Sequence, residues 1–499
     1  MDFLDPRKRR AYNIRLLVGY VLVAVVIILA TVILVYGANG YGINTKTGQI
    51  VQNGLLFTDS HPGGATIYLN GKDKNANTPS RLILPAGKYT LTLKRAGYRD
   101  WSRQFTLSEQ SVARYVYPFL FPQKPVITDL KSYATTPPLV TETPNQHWLL
   151  VQSSDSAAKA PIFDQFDTTT LDDKTPVVTP VSLPEGVLTD YSSSSVLTAV
   201  EWSTDNNNLL LKHTSANGSE FVVFNRAHPD QSFNVNQLFN TDPTEVNFYN
   251  KKADQLYLFN QADGSLRLGD ISAKQLAQPI LSNALAYKPY GTDLLTYVTA
   301  QGEPAGKAMA KIWDDGKSYN LYEFSAGTHY LINAAQFQGH FYYIAGSDTT
   351  DRVNIYKDPL NDIKNPSVGK ALPILALNDP GATEADFSDN ARFVGIENLQ
   401  RFAVYDFETK NAYEYSINQP LQTNMNWMDG HRYIGQSNGQ VFVMDYDGTN
   451  QQSINPTVMP VGALFSADYN HMLTIAKSPD GKLVLEDIDM RAGADLPKR

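Results

Sequence analysis

The 499-residue chain contains no cysteine. No disulfide can staple it and no thiolate can act as nucleophile or metal ligand, so its stability has to come from packed cores. Its eight histidines, His61, His147, His213, His228, His329, His340, His431 and His471, include no pair at metal-ligand spacing such as His-Glu-x-x-His. Without cysteine, a zinc site would have to be assembled from distant loops. There is no Gly-x-Ser-x-Gly elbow to carry a hydrolase serine and no glycine-rich phosphate loop before a helix. These absences argue against an enzyme: no catalytic, cofactor-binding or metal residue is singled out, no cofactor is expected, and the binding residues stay unassigned.

Charge is missing from Leu16 to Tyr36, 21 residues preceded by Arg7, Lys8, Arg9, Arg10 and Arg15 against only Asp2 and Asp5. A bilayer core about 30 Å thick needs roughly 20 apolar residues at helical rise. The segment therefore reads as one transmembrane helix over 16–36, behind a basic cytoplasmic tail over 1–15. Basic flanks stay inside, so everything after Gly37 is expected outside the cytoplasm. A cleaved secretory signal has an apolar stretch of only about 7 to 15 residues. Cleavage after Ala38 would also put Tyr36 where a small residue is wanted.

Beyond this segment strand formers dominate, with 28 Tyr and 22 Phe, while 32 Gly and 28 Pro cut them into short runs. This composition reads as all-β, and the length calls for two to four units. Charge divides along the chain. Residues 54–122 hold nine basic and four acidic residues, whereas 123–499 hold 27 and 44. A basic module beside the membrane and an acidic one farther out could lie against anionic lipid or wall polymer and hold the distal part away. The acidic module would repel phosphate, so no nucleic-acid partner is expected.

A linker over 37–53 leads into alternating runs. Thr66-Ile-Tyr-Leu69 is followed by Asn70-Gly71, a strong hairpin signal. Tyr89-Thr-Leu-Thr-Leu93 places every second side chain on one apolar face, and Trp101–Leu107 supplies one more strand. Pro62-Gly-Gly-Ala-Thr-Ile-Tyr-Leu-Asn-Gly71, Thr78-Pro79, Leu84-Pro-Ala-Gly-Lys-Tyr89 and Gly97-Tyr98, in that order, resemble the PEGA domain of bacterial and archaeal surface proteins. Gly63 stands where the family usually has glutamate. The resemblance implies a small β-sandwich over 54–117 on an envelope protein, with no catalytic residue to carry over. Pro118, Pro122 and Pro125 then stiffen a connector over 118–129.

From 130 to 499 one pattern recurs: an aromatic anchor, a polar turn, then apolar strands. The anchors Trp202, Phe248, Tyr287, Phe337, Phe387, Trp427 and Phe465 lie 46, 39, 50, 50, 40 and 38 residues apart. That period belongs to four-stranded propeller blades. Asp263-Gly, Asp429-Gly, Asn438-Gly, Asp447-Gly and Asp480-Gly fall where hairpins are needed, and Trp148 to Phe163 reads as an earlier copy. The repeats resemble WD40-like and TolB-type propellers, which implies seven or eight blades with the anchors as inter-blade core. The acidic groups Asp445-Tyr-Asp447 and Glu486-Asp-Ile-Asp489 do not follow a calcium-loop pattern and read as blade-ending aspartates. Asn217-Gly-Ser219 reads as a hairpin tip.

The sequence thus points to an all-β ectodomain, a PEGA-like sandwich plus a seven- or eight-bladed propeller, behind one N-terminal transmembrane helix. Its expected role is that of a non-enzymatic, single-pass protein of the bacterial cell membrane, a binding or scaffolding platform for envelope proteins, peptides or glycans. The rivals are a hydrolase or lyase acting on cell-wall polymer, and a structural spacer or wall anchor.

Overall fold

The computed structural model describes residues 6–38, 40–43, 50–153, 159–173, 177–192, 194–292 and 294–497. Residues 1–5 of the basic tail, the side chains of Arg7, Lys8 and Arg9, and residues 44–49 of the linker lie outside the described residues. The chain divides into two compact units, Met1–Lys124 and Pro125–Arg499.

The first unit begins with the helix Pro6–Ala38, within which Tyr12–Gly37, 26 residues, is long and apolar enough to cross a membrane. None of that stretch is buried against protein. The helix starts ten residues before the uncharged run because Arg and Lys are themselves good helix formers and nothing after Pro6 breaks the helix.

The rest of the unit is a sandwich of two four-stranded sheets. One pairs Ile50–Thr58 with Ser80–Pro85, Tyr41–Ile43 and Val112–Tyr115. The other runs Lys72–Asn77, Thr66–Leu69, Gly87–Lys94, Trp101–Leu107. Asn70 and Gly71 both take positive φ, 51° and 76°, the conformation a two-residue hairpin requires, and Asn70 Oδ1 accepts the Thr90 N–H at 2.8 Å. Alternation sends Ile67, Leu69, Leu91 and Leu93 inward, at most 2% exposed, around Trp101 and Tyr98. Arg103, also buried, donates to the Tyr117 hydroxyl at 3.1 Å.

The second unit is a propeller of eight four-stranded antiparallel sheets. Blades 1 to 7 occupy 140–182, 196–234, 245–276, 284–325, 330–378, 384–416 and 426–456. Blade 8 takes three strands from 464–489 and its fourth from Val126–Tyr133, which pairs antiparallel with Leu483–Asp489. Residues 126–129, expected within the connector, are therefore part of the ring. The first strand of the unit completes the last blade, which thereby reaches four strands like the other seven and ties the two ends of the ring together.

Each blade is buried between two neighbours. Leu150 and Phe163 of blade 1 pack on Leu209, Leu211 and Phe224 of blade 2. Tyr257 and Phe259 of blade 3 meet Tyr287 and Leu295 of blade 4. Leu473, Ile475 and Leu485 of blade 8 meet Leu149, Val151 and Phe166 of blade 1, which closes the circle. The five Asp-Gly and Asn-Gly pairs all lie in turns between successive strands of a blade.

The anchor aromatics are core in five cases, Trp202, Phe248, Tyr287, Phe387 and Phe465, each 9% exposed or less. Phe337 and Trp427 are half-buried. After three anchors a serine closes the turn. Ser203 Oγ accepts the Asn208 N–H at 3.1 Å while Asp205 takes the Asn207 N–H at 2.9 Å. Ser466, Asp468 and His471 repeat this in blade 8. In blade 6, Ser388 bonds Asn390 at 2.9 Å, and Asn390 takes the Arg392 N–H. Asp389, between them, takes no part in these bonds.

Candidate binding channel

The first strand of each blade faces the centre of the ring. A single cavity of about 490 Å³ is bounded by first-strand residues of four successive blades, among them Glu245, Lys288, Asn333 and Asp386. Glu142 of blade 1 also feels the charge of Asp389 in blade 6, two blades that are not neighbours around the ring.

The polarity of this wall follows from alternation. In Glu245–Tyr249, Val246 and Phe248 are buried while Glu245 and Asn247 are more exposed. In Glu384–Phe387, Ala385 and Phe387 are buried and Glu384 and Asp386 exposed. Apolar side chains enter the blade interfaces and the intervening polar ones stand in channel water. Across all eight first strands the charged residues are Glu142, Glu201, Glu245, Glu384 and Asp386 against the lone Lys288.

Several of these groups also tie blades together. Glu201 accepts the backbone N–H of Phe248 in blade 3 and pairs with Lys251. Tyr287 donates to Asn247 Oδ1 at 2.7 Å, and Asn333 donates to Asp386 Oδ1 at 2.9 Å. An innermost strand has no partner on its channel side, and polar side chains from next-door blades take up some of its backbone donors.

Between blades 6 and 7 the wall opens into a second cavity of about 220 Å³, which shares Glu384 and Asp386 with the first. Its floor is Glu397, 3% exposed. Its sides include Asp389, Trp427 and Tyr433, the last two stacked with ring centroids 4.0 Å apart. Gly395 lies under them; a Cβ there would come within 1.8 Å of the Tyr433 hydroxyl.

Burial raises the Glu397 carboxyl to about 8, with the charges of Glu384 and Asp379 adding to the effect and the Met425 backbone N–H opposing it. Burial likewise lifts Glu142 to about 8 and Asp389 to about 6, the latter helped by Asp429 and Asp386. The channel therefore mixes protonated and ionised carboxyls near neutral pH.

The groups weighed in the sequence lie elsewhere. Asp445 is buried and accepts from Asn450 at 2.8 Å, and Asp447 accepts from Thr449 at 2.7 Å. Asp487 holds His471 Nδ1 at 2.9 Å, and Asp489 accepts from Arg491 at 2.8 Å. Asn217 sits at the hairpin tip between Asn208–Ser215 and Gly218–Asn225. Among the described residues no group of three or more His, Asp or Glu is disposed to hold a metal ion. The channel carboxylates went unassigned, although a signal existed: Glu245, Glu384 and Asp386 stand one or three residues before an anchor, on the face opposite to it.

The PEGA domain model matches residues 53–118, and the chain carries that domain there. No curated protein matches the chain. Among solved structures it is similar to an uncharacterized protein from Listeria monocytogenes EGD-e, at 14% identity over 68% of this chain and 93% of the other, TM-score 0.39. It is also similar to the Dos1 propeller, at 13% identity over 73% and 94%, TM-score 0.43. An oligogalacturonate lyase in complex with manganese matches at 11% identity over 74% and 98%, TM-score 0.37.

Proposed function

We propose that the chain is a non-enzymatic, single-pass protein of a bacterial envelope that displays its propeller outside the cytoplasm as a platform for envelope proteins, peptides or glycans. The observation that carries this reading is the channel wall whose first strands hold five acidic side chains against one lysine. A concave wall of one charge sign concentrates ligands of the opposite sign and steers their approach. The basic N-terminal flank favours a cytoplasmic tail, and the basic PEGA domain suits a position beside anionic lipid. Co-purification from gently solubilised membranes tests the proposal: partners should accompany the intact chain, and their release should rise with salt. Recovery of the chain alone, with no protein or glycan, would sink it.

A second reading has one observation in its favour. Glu397, which keeps its proton to about pH 8, lines the same cavity as Glu384 and Asp386. A carboxyl that holds its proton beside other carboxyls is the arrangement that acid-base cleavage of a glycan uses. Cleavage of purified wall polymer by the chain, lost in Glu397→Gln, would favour this reading over the first.

A further inference from the structure

Resting on the platform reading, we infer that the cavity between blades 6 and 7 is a receptor for a single organic cation on an apolar stem, as a lysine or arginine side chain of a partner peptide carries.

Glu397 supplies the reason to expect an occupant. It is buried, it lines the cavity, and its Oε2 has no hydrogen-bond partner. Leaving a buried polar atom unmatched costs stability, because the water it gave up is not replaced. A ligand able to donate to Oε2 removes that cost. The charge of the ligand follows from the neighbours: Glu384, Asp386 and Asp389 line the same cavity, and among the described residues no basic one does. An anion would meet only like charge.

The remaining walls separate an organic cation from a metal ion. Phe387, Met425, Trp427 and Tyr433 provide apolar and aromatic surface, which suits methylenes and the flank of an ammonium or guanidinium. Hard cations instead ask for several converging oxygens, and none of the described carboxyl groups is clustered in that way. The volume, about 220 Å³, accommodates one such side chain but not a folded segment. The larger cavity that continues from Glu384 and Asp386 leaves room for the peptide carrying it.

Binding has a proton signature. The titratable groups facing Glu397 are Glu384, Asp379, Asp386, Asp389, Tyr415 and Tyr433. An arriving cation favours the ionised form of Glu397, so a proton leaves as the ligand enters.

The test uses the full-length chain in mild detergent, titrated calorimetrically with Nα-acetyl-lysine methylamide, Nα-acetyl-arginine methylamide, spermidine, glucosamine and calcium at pH 6.5 and 8.5. The expected result is binding of the lysine or arginine probe that tightens at least threefold at the higher pH. That affinity should fall at least tenfold in Glu397→Gln, and again in Asp389→Asn, which keeps the fold because Asp389 takes no part in the bonds of its turn. Asp447→Asn, away from the cavity, should change nothing. Equal affinity in wild type and both cavity variants overturns the inference, as does preference for calcium, free spermidine or glucosamine over the peptide probes. Partners retained by Glu397→Gln membranes would refute this pocket while leaving the platform standing; partners absent even from wild type would refute the platform itself.

Discussion

Replacing Glu397 by glutamine should make the propeller more stable, and by an amount that grows with pH. In the unfolded chain this carboxyl titrates near 4.5; in the folded chain it holds its proton to about 8. The folded state therefore binds more protons between those values, and stability falls as pH rises through that window. Each unit of difference is worth about 1.4 kcal/mol. Glu397 should cost the fold about 1 kcal/mol at pH 5, about 3 at pH 7 and nearly 5 at pH 9. Glutamine has nearly the same shape and no charge to desolvate, so it avoids this rising cost. Urea unfolding of wild type and Glu397→Gln at those three pH values, followed by tryptophan fluorescence, measures the difference directly. Stability curves that stay parallel from pH 5 to 9 would refute both the burial of Glu397 and the argument that its carboxyl is kept at a stability cost.

Asp406→Ala should destabilise by about 3 kcal/mol, because it removes the two bonds to the Arg392 guanidinium at 3.0 and 2.7 Å and leaves Glu408 as its ion-pair partner. The double change Arg392→Met with Asp406→Leu should recover much of that loss in the same unfolding assay. For His471, burial disfavours the charged ring, but the bond and charge of Asp487 outweigh it and raise its pKa. Its contribution is thus fully present below about pH 6.5 and lost as pH rises through the raised value; the stability of His471→Gln, compared with wild type over pH 5.5 to 9, should not show that loss. Gly462→Ala should cost at least about 1 kcal/mol, since Gly462 has φ +82° and a Cβ would lie 2.4 Å from the Gly435 carbonyl oxygen of blade 7; a thermal melt checks it. Protease added to intact cells should remove the PEGA domain and propeller; survival of the chain until lysis would refute the proposed orientation.

Much of this architecture was legible because it rests on period and punctuation. The uncharged run, the Asn70-Gly71 hairpin and the spaced aromatic anchors each follow from local rules, and the helix, the hairpin and five of the seven anchors are found as expected, Phe337 and Trp427 being half-buried instead. The blade number was not legible: blade 8 draws its outer strand from Val126–Tyr133, more than 300 residues away, and no local pattern announces such a pairing. The channel was half legible. Residues before the anchors alternate with buried ones, so Glu384 and Asp386 could have been placed on the wall. Glu397 could not, because it ends the second strand of blade 6, in a run buried at every position, and only packing between blades shows that its carboxyl meets a cavity.

The borrowed strand has a consequence for how the protein is made. Val126–Tyr133 is synthesised before any other part of the ring, yet its partner, Leu483–Asp489, emerges more than 300 residues later. Early blades can fold in turn, but the circle stays open until residues 483–489 have been made. A nonsense codon anywhere before 483 therefore yields a sprung coil with a raw edge rather than a smaller working disc, a defective product that surveillance proteases can recognise.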